Sequence, residues 1–117
     1  MTIIDIINLT FVALSIGLGA VGWLAPRYTM AVLDTAPTKS TMGLSEVRAA
    51  SGALFIGLGV GAFYLSTPEA YAMVGAAWLG AAIGRATSII VDGPTPKKWG
   101  FLACEAVVGI TGVAINL

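Results

Sequence analysis

The sequence predicts an all-α membrane protein, an antiparallel bundle of four transmembrane helices. Of its 117 residues, 57% are hydrophobic and only 10% are charged, whereas a soluble domain carries about 25% charged residues. A water-soluble fold of this size cannot bury so much apolar surface, so the solvent is lipid. Four apolar stretches of about 20 residues, the length that crosses a bilayer, are separated by segments that contain proline. We interpret residues 1–117 as a single integral membrane domain.

The composition also excludes several function classes. Six basic residues balance six acidic ones, so the net charge is zero and no basic patch predicts nucleic-acid binding. Histidine is absent, which removes the commonest acid–base catalyst and metal ligand. Cys104 is the only cysteine, so the chain can form neither an internal disulfide nor a thiolate metal cluster. We therefore expect no enzyme activity, no metal, no cofactor and no nucleic-acid partner.

The first predicted span runs from about residue 3 to residue 25. No Lys or Arg precedes Gly22, so the segment lacks the basic region of a signal peptide and is expected to be retained. Pro26 ends the span because proline removes a helical hydrogen bond. Residues 26–33 are expected to form a short interfacial helix, with Tyr28 at the level of the lipid headgroups.

The second predicted span, from about residue 44 to residue 65, is rich in glycine and begins near Glu46 and Arg48. Glycine is a poor helix former in water. In lipid, however, an unpaired backbone group costs several kcal/mol, so helix is the default conformation. Small residues then allow a neighbouring helix to approach closely, which predicts a helix built for tight packing.

The third and fourth predicted spans cover about residues 69–91 and 97–117. Each follows a threonine–proline pair, in which the threonine caps the helix and the proline occupies its first turn. Gly80 and Gly84 have the GxxxG spacing of helices that pack closely in membranes. The glycines predicted to pack helices together are Gly52, Gly57, Gly59, Gly80, Gly84, Gly109 and Gly112.

Basic residues in the loops predict the orientation. Arg27 and Lys39 lie in the first loop, and Lys97 and Lys98 lie in the third. The middle loop and the N-terminal segment have no basic side chain. Because basic loops stay in the cytoplasm, we expect a multi-pass protein with both termini on the non-cytoplasmic side.

Four charged residues are predicted to form a charged layer in the cytoplasmic half of the membrane: Glu46, Arg48, Arg85 and Glu105. Glu46 and Arg48 lie in the first turns of the second span. Arg85 precedes the end of the third span by six residues, which is about 9 Å along a helix. Glu105 lies at a similar depth in the fourth span, about 10 Å from its start. Charges inside a membrane normally face the bundle interior and pair, so we expect these four to be buried.

The direction of the Arg85 side chain predicts its partner. Helical side chains lean towards the N-terminus of their own helix, which in the third span points into the membrane. An internal carboxylate is therefore favoured, with Glu105 as first choice and Glu46 as second. Ser88 and Asp92 are secondary site candidates, because they share one helix face with Arg85 at spacings i, i+3 and i+7.

Two interpretations of the charged layer stay open. It is either a structural lock that fixes the register of the helices, or a site for a substrate, an ion or a lipid headgroup. Glu46 alternatively complements the positive end of its helix, and Arg48 alternatively extends to the lipid headgroups.

The pattern of these residues also indicates a family. The segments that carry the resemblance are Glu46-Val47-Arg48-Ala49, Gly52, Gly57-Leu58-Gly59, Gly84-Arg85, Ser88, Asp92 and Glu105. They cover the last three spans, and the chain resembles an uncharacterised bacterial family of small four-helix integral membrane proteins, a domain of unknown function. The resemblance implies the fold and a place in the bacterial inner (cytoplasmic) membrane, and it implies no activity.

The functional hypothesis is a helix-packing accessory or interaction subunit of a membrane assembly. Its expected partners are the lipid bilayer and either further copies of the chain or a larger membrane complex. The alternative is a small transporter, or a protein that binds a lipid or another hydrophobic ligand, with the charged layer as its site. A membrane enzyme is the third hypothesis, and no arrangement of nucleophile and base supports it.

Overall fold

The computed structural model describes residues 1–117 and consists of five helices joined by short loops, without a strand. Helix α1 is Ile3–Leu24 and α2 is Pro26–Val32. Helix α3 is Met42–Leu65, α4 is Pro68–Val91 and α5 is Pro96–Ala114. The all-α prediction is confirmed, and each predicted apolar stretch is helical.

Three helices, α1, α3 and α4, are long and apolar enough to cross a membrane. They contain 22, 24 and 24 residues. Helix α5 is not among them, because its 19 residues include Lys97, Lys98 and Glu105, and it ends at Ala114, before the predicted end of the fourth span. The structure therefore supports three spans, and the fourth stays a prediction.

Threonine side chains cap the starts of α4 and α5, as predicted. The hydroxyl oxygen of Thr67 accepts a hydrogen bond from the backbone N–H of Ala70, at 3.2 Å. Thr95 does the same for the N–H of Lys98, also at 3.2 Å. Proline follows each cap as the first helical residue, where its missing N–H has no helical partner to lose.

Helix α3 contains a π-helical turn. The helix is regular over Met42–Arg48, widens over Ala49–Ala53 and is regular again over Leu54–Leu65. A π turn adds a residue to one turn, which rotates the faces of the helix before and after it, and such turns are frequent at functional sites. Gly52 lies in this turn and is buried.

The chain forms two compact units. The central unit is Val12–Tyr64, and the terminal unit comprises Met1–Phe11 and Leu65–Leu117. Helix α1 contributes its first part to the terminal unit and the rest to the central unit.

In the terminal unit, α4 packs along α5 in the antiparallel direction. A Cβ atom added to Gly75 would lie 2.8 Å from the carbonyl carbon of Gly112, and one added to Gly109 would lie 2.7 Å from Cα of Leu79. Real side chains do not approach so closely, so these positions require glycine. The buried hydrophobic residues of these two helices include Trp78, Ala82, Val74 and Val108.

In the central unit, α1 and α3 also form an antiparallel pair with close glycine contacts. A Cβ atom added to Gly19 would lie 2.7 Å from the carbonyl oxygen of Gly52. Nearer the other end of the pair, one added to Gly59 would lie 3.2 Å from the carbonyl oxygen of Val12. Each unit is therefore built on one pair of helices whose backbones nearly touch.

The glycines predicted to pack helices divide into two groups. Gly57, Gly80 and Gly84 do not pack within the chain, because no atom lies within 4 Å of an added Cβ at any of them. At these three positions, helix packing stays a prediction, and it would require a partner outside the chain. On α4 it is Gly75 that faces α5, and five residues of helical rotation turn Gly80 away from it. Close contacts are found at Gly52, Gly59, Gly109 and Gly112, together with Gly19, Gly22 and Gly75, which were not among the predicted packing positions.

Candidate functional site

Arg85 on α4 forms an ion pair with Glu105 on α5, the partner expected first from the sequence. The Nε–H of Arg85 donates to Oε1 of Glu105 at 2.9 Å, and an Nη2–H donates to Oε2 at 3.2 Å. Both carboxylate oxygens are thus engaged by one guanidinium group, the strongest geometry for such a pair. The antiparallel packing of α4 on α5 brings the two residues to the same level.

The ion pair lies against an aromatic ring and is partly shielded. The Glu105 side chain is 11% exposed and the Arg85 side chain is 32% exposed. The guanidinium carbon of Arg85 is 5.2 Å from the centre of the Phe101 ring, within the range of a cation–π contact. The pair is therefore neutral and satisfied within the terminal unit, and its geometry suits a lock on the register of α4 and α5.

Ser88 and Asp92, the secondary candidates, form a hydrogen bond with each other at the C-terminal end of α4. The hydroxyl of Ser88 donates to Oδ2 of Asp92 at 2.9 Å. In the following loop, the Nζ of Lys98 donates to the carbonyl oxygen of Gly93 at 2.7 Å. These contacts stabilise the turn between α4 and α5 and are separate from the hydrogen bonds of the Arg85–Glu105 pair.

Glu46 and Arg48 are exposed, which corrects the expectation that both would be buried. Val47 between them is the residue of this turn that packs inward. Successive residues differ by about 100° around a helix. With Val47 on the packed face, Glu46 and Arg48 therefore lie on either side of that face. The Glu46 carboxylate has no hydrogen bond or ion pair within the chain. The sequence indicates the depth of these residues and not the side of the helix on which they lie.

The Arg48 side chain contacts the end of α1. Its Nη1–H donates to the backbone carbonyl oxygen of Trp23 at 2.7 Å. Trp23 lies in the last turn of α1, where carbonyl groups have no partner further along the helix. A cation at this end is also favoured by the helix dipole. The sequence does not predict this contact, because the acceptor is a backbone atom that no residue type reveals.

A cavity of about 560 Å³, widely open at the protein surface, lies beside this contact in the central unit. Its wall combines one cationic side chain, two hydroxyls, an indole ring and small apolar groups, and it contains no carboxylate. The lining residues are Trp23, Thr41, Leu44, Ser45, Arg48, Ala49 and Ala53.

A pair of asparagines joins the two ends of the chain in the terminal unit. Asn8 Nδ2 donates to Asn116 Oδ1 at 2.8 Å, and Asn116 Nδ2 donates to Asn8 Oδ1 at 2.8 Å. Asn8 is only 4% exposed. The sequence did not predict this pair. The available signal was that these are the only two asparagines, each near the predicted non-cytoplasmic end of a span.

Comparison with known proteins identifies the family. No curated protein and no solved structure matches the chain. A family model matches residues 3–115, a range that contains all five helices. The expected resemblance to an uncharacterised family is thereby confirmed. The chain belongs to the family described as a domain of unknown function (DUF4345).

Proposed function

We propose that the chain is a small polytopic membrane protein that acts as an interaction subunit of a membrane assembly and catalyses no reaction. In this proposal, α1, α3, α4 and α5 form an antiparallel bundle of four spans in the bacterial inner membrane, with both termini outside the cytoplasm. The basic residues of the loops before α3 and at the start of α5 support the orientation.

The observation that carries the proposal is an open face of small residues on α4. Ala76, Gly80 and Gly84 follow one another at intervals of four residues and are all exposed. No atom lies within 4 Å of an added Cβ at Gly80 or Gly84. Faces with small residues at this spacing are typical of helices that associate in membranes, because they let two backbones come together.

Contact with lipid alone does not account for these glycines. Glycine is among the weakest helix formers, and a larger apolar side chain would suit a lipid-facing position better. Only 28% of the most apolar part of α4 is buried within the chain, so ample surface remains for a partner. Ile83, which flanks the open face, is 63% exposed. A helix of another polypeptide would cover these positions.

We expect the partner of this face to be a second copy of the chain. Ala76, Gly80, Ile83, Gly84 and Thr87 carry no charge, so two copies of the face do not repel each other. A flat face of small residues can also be self-complementary about a two-fold axis, as a symmetric dimer requires.

The test is energy transfer between donor- and acceptor-labelled copies in liposomes, with Gly84→Leu compared with Gly17→Leu. Both positions are exposed, and neither has an atom within 4 Å of an added Cβ, so both variants should keep the fold. We expect Gly84→Leu to abolish the transfer and Gly17→Leu to retain it. Equal transfer in both variants would contradict a role for this face, as would a wild type that neither transfers energy nor crosslinks to another membrane protein.

The second candidate function is that of a transporter or a lipid-binding protein that uses charged residues inside the membrane. The ion pair weakens the case for proton-coupled transport, because Glu105 is engaged by Arg85 at both oxygens. The exposed Arg48 beside a cavity favours the binding of a ligand instead.

A further inference from the structure

We propose that the cavity around Arg48 binds the phosphate group of an anionic phospholipid headgroup. The inference deepens the second candidate function, and it does not depend on association through the open face of α4.

The Arg48 guanidinium group provides the charge. Its hydrogen bond to the Trp23 carbonyl oxygen uses one of the N–H donors of a group that has five. That contact also holds the side chain in place, so less freedom is lost when a ligand binds. Guanidinium groups suit phosphate because two of their donors can meet two phosphate oxygens at once.

The other polar groups of the cavity fit the same ligand. Thr41, the residue that precedes α3, and Ser45 and Arg48 within it recur at i, i+4 and i+7, which places them on one side of the helix. Their two hydroxyls have no hydrogen-bond partner within the chain and can donate to phosphate oxygens. Because no carboxylate lines the cavity, a bound anion is not repelled by a negative charge there.

The apolar part of the wall suits the rest of a lipid molecule. Ala49 and Ala53 continue from the polar groups along α3 towards the middle of the span, and Leu44 lies among the polar groups. Trp23 is exposed at the end of α1, and tryptophan is enriched at the level of the lipid headgroups. A volume of about 560 Å³ lies in the range of small-molecule sites. The cavity therefore combines polar groups near the start of α3 with apolar groups that continue into the span, as a phospholipid headgroup and its acyl chains would require.

The test is native mass spectrometry of the purified protein titrated with phosphatidylglycerol, with Arg48→Gln compared with Arg27→Gln. The two variants lose the same charge from an exposed arginine, but Arg27 does not line the cavity. We expect Arg48→Gln to weaken binding about tenfold, the loss of about one charge-assisted hydrogen bond, and Arg27→Gln to leave it within about twofold. Diacylglycerol with the same acyl chains should bind the wild type at least about tenfold more weakly, because it lacks the phosphate.

A second variant separates binding from the support that Arg48 gives to α1. Thr41→Val combined with Ser45→Ala removes both hydroxyls and leaves the Arg48–Trp23 hydrogen bond intact. We expect this double variant to weaken phosphatidylglycerol binding about threefold or more. If Arg48→Gln does not fold, the double variant alone tests whether the cavity binds the lipid. Unchanged binding in this variant would overturn the proposal, as would equal loss in Arg48→Gln and Arg27→Gln. Inorganic phosphate that binds as tightly as the lipid would overturn the lipid as ligand and indicate a site for free anions.

Discussion

One face of helix α4 packs against α5, whereas a second face of the same helix has no neighbour within the chain. On the packed face, Gly75 meets the backbone of Gly112, and Arg85 pairs with Glu105 two to three turns further along. On the open face, Gly80 and Gly84 have no atom within 4 Å of an added Cβ. Both faces are rich in small residues, and only the packed face has a charge.

The difference between the two faces shows what small residues do and do not specify. Glycine allows a close approach between helices, but it does not select the partner. On the packed face, the ion pair adds that selection, because only one register of α4 and α5 brings both charges together. The uncharged open face therefore suits a partner that is recognised by shape, such as a second copy of the same face.

The largest effect is expected when the ion pair of the packed face is broken. Arg85→Leu leaves the carboxylate of Glu105 shielded and unpaired, and we expect it to cost about 3 kcal/mol. Glu105→Leu should cost less, about 1–2 kcal/mol, because the longer and more exposed arginine can reach water. The double variant should be less destabilised than the sum of the two, as measured by denaturation in one mixed micelle at one pH.

The control for this cycle replaces an exposed arginine that lies outside the packed face. Arg27→Leu combined with Glu105→Leu should give additive effects, because Arg27 makes no contact with that carboxylate. Additivity in the cycle of Arg85 with Glu105 would show that the two side chains do not stabilise each other. The ion pair would then not select the register of α4 and α5.

A smaller effect is expected from a single methyl group on each face of α4. Gly75→Ala places a Cβ against backbone atoms that cannot move aside, so it should cost about 1–3 kcal/mol. Gly80→Ala meets no neighbour and should leave the stability of the monomer unchanged or raise it by up to about 1 kcal/mol. Both variants would be compared by the same denaturation assay in a detergent that keeps the chain monomeric. Equal stability of the two would mean that α4 and α5 are not in close backbone contact at Gly75.

The sequence was sufficient to predict the helices and their starts. Length and hydropathy locate each apolar stretch, and the threonine–proline pairs at Thr67 and Thr95 mark the caps that the structure contains. These signals are local, so they require no knowledge of neighbouring helices. The π turn at Ala49–Ala53 was not predicted, because no residue in that segment demands a wider turn.

The candidate site was predicted less completely. Matched depth along neighbouring helices was enough to propose the Arg85–Glu105 pair. Charge follows from the residue type, and depth follows from the position of the residue in its span. The contact of Arg48 could not be predicted in this way, because its acceptor is the backbone carbonyl oxygen of Trp23. Which glycines pack also depends on the rotation of each helix about its axis. Where glycine occurs on opposite faces of a helix, as on α4, the pattern does not determine that rotation.

Photocrosslinking in native membranes tests the role of the open face of α4 most directly. A photoreactive phenylalanine analogue would replace Ile83 beside the open face, or Val107 on α5 as a control. The two side chains are both 63% exposed, so both positions have room for the probe. The proposal predicts a discrete adduct from position 83, with a second copy or another membrane protein, and little or none from position 107. Equal yields from the two positions, or an adduct from position 107 alone, would contradict it.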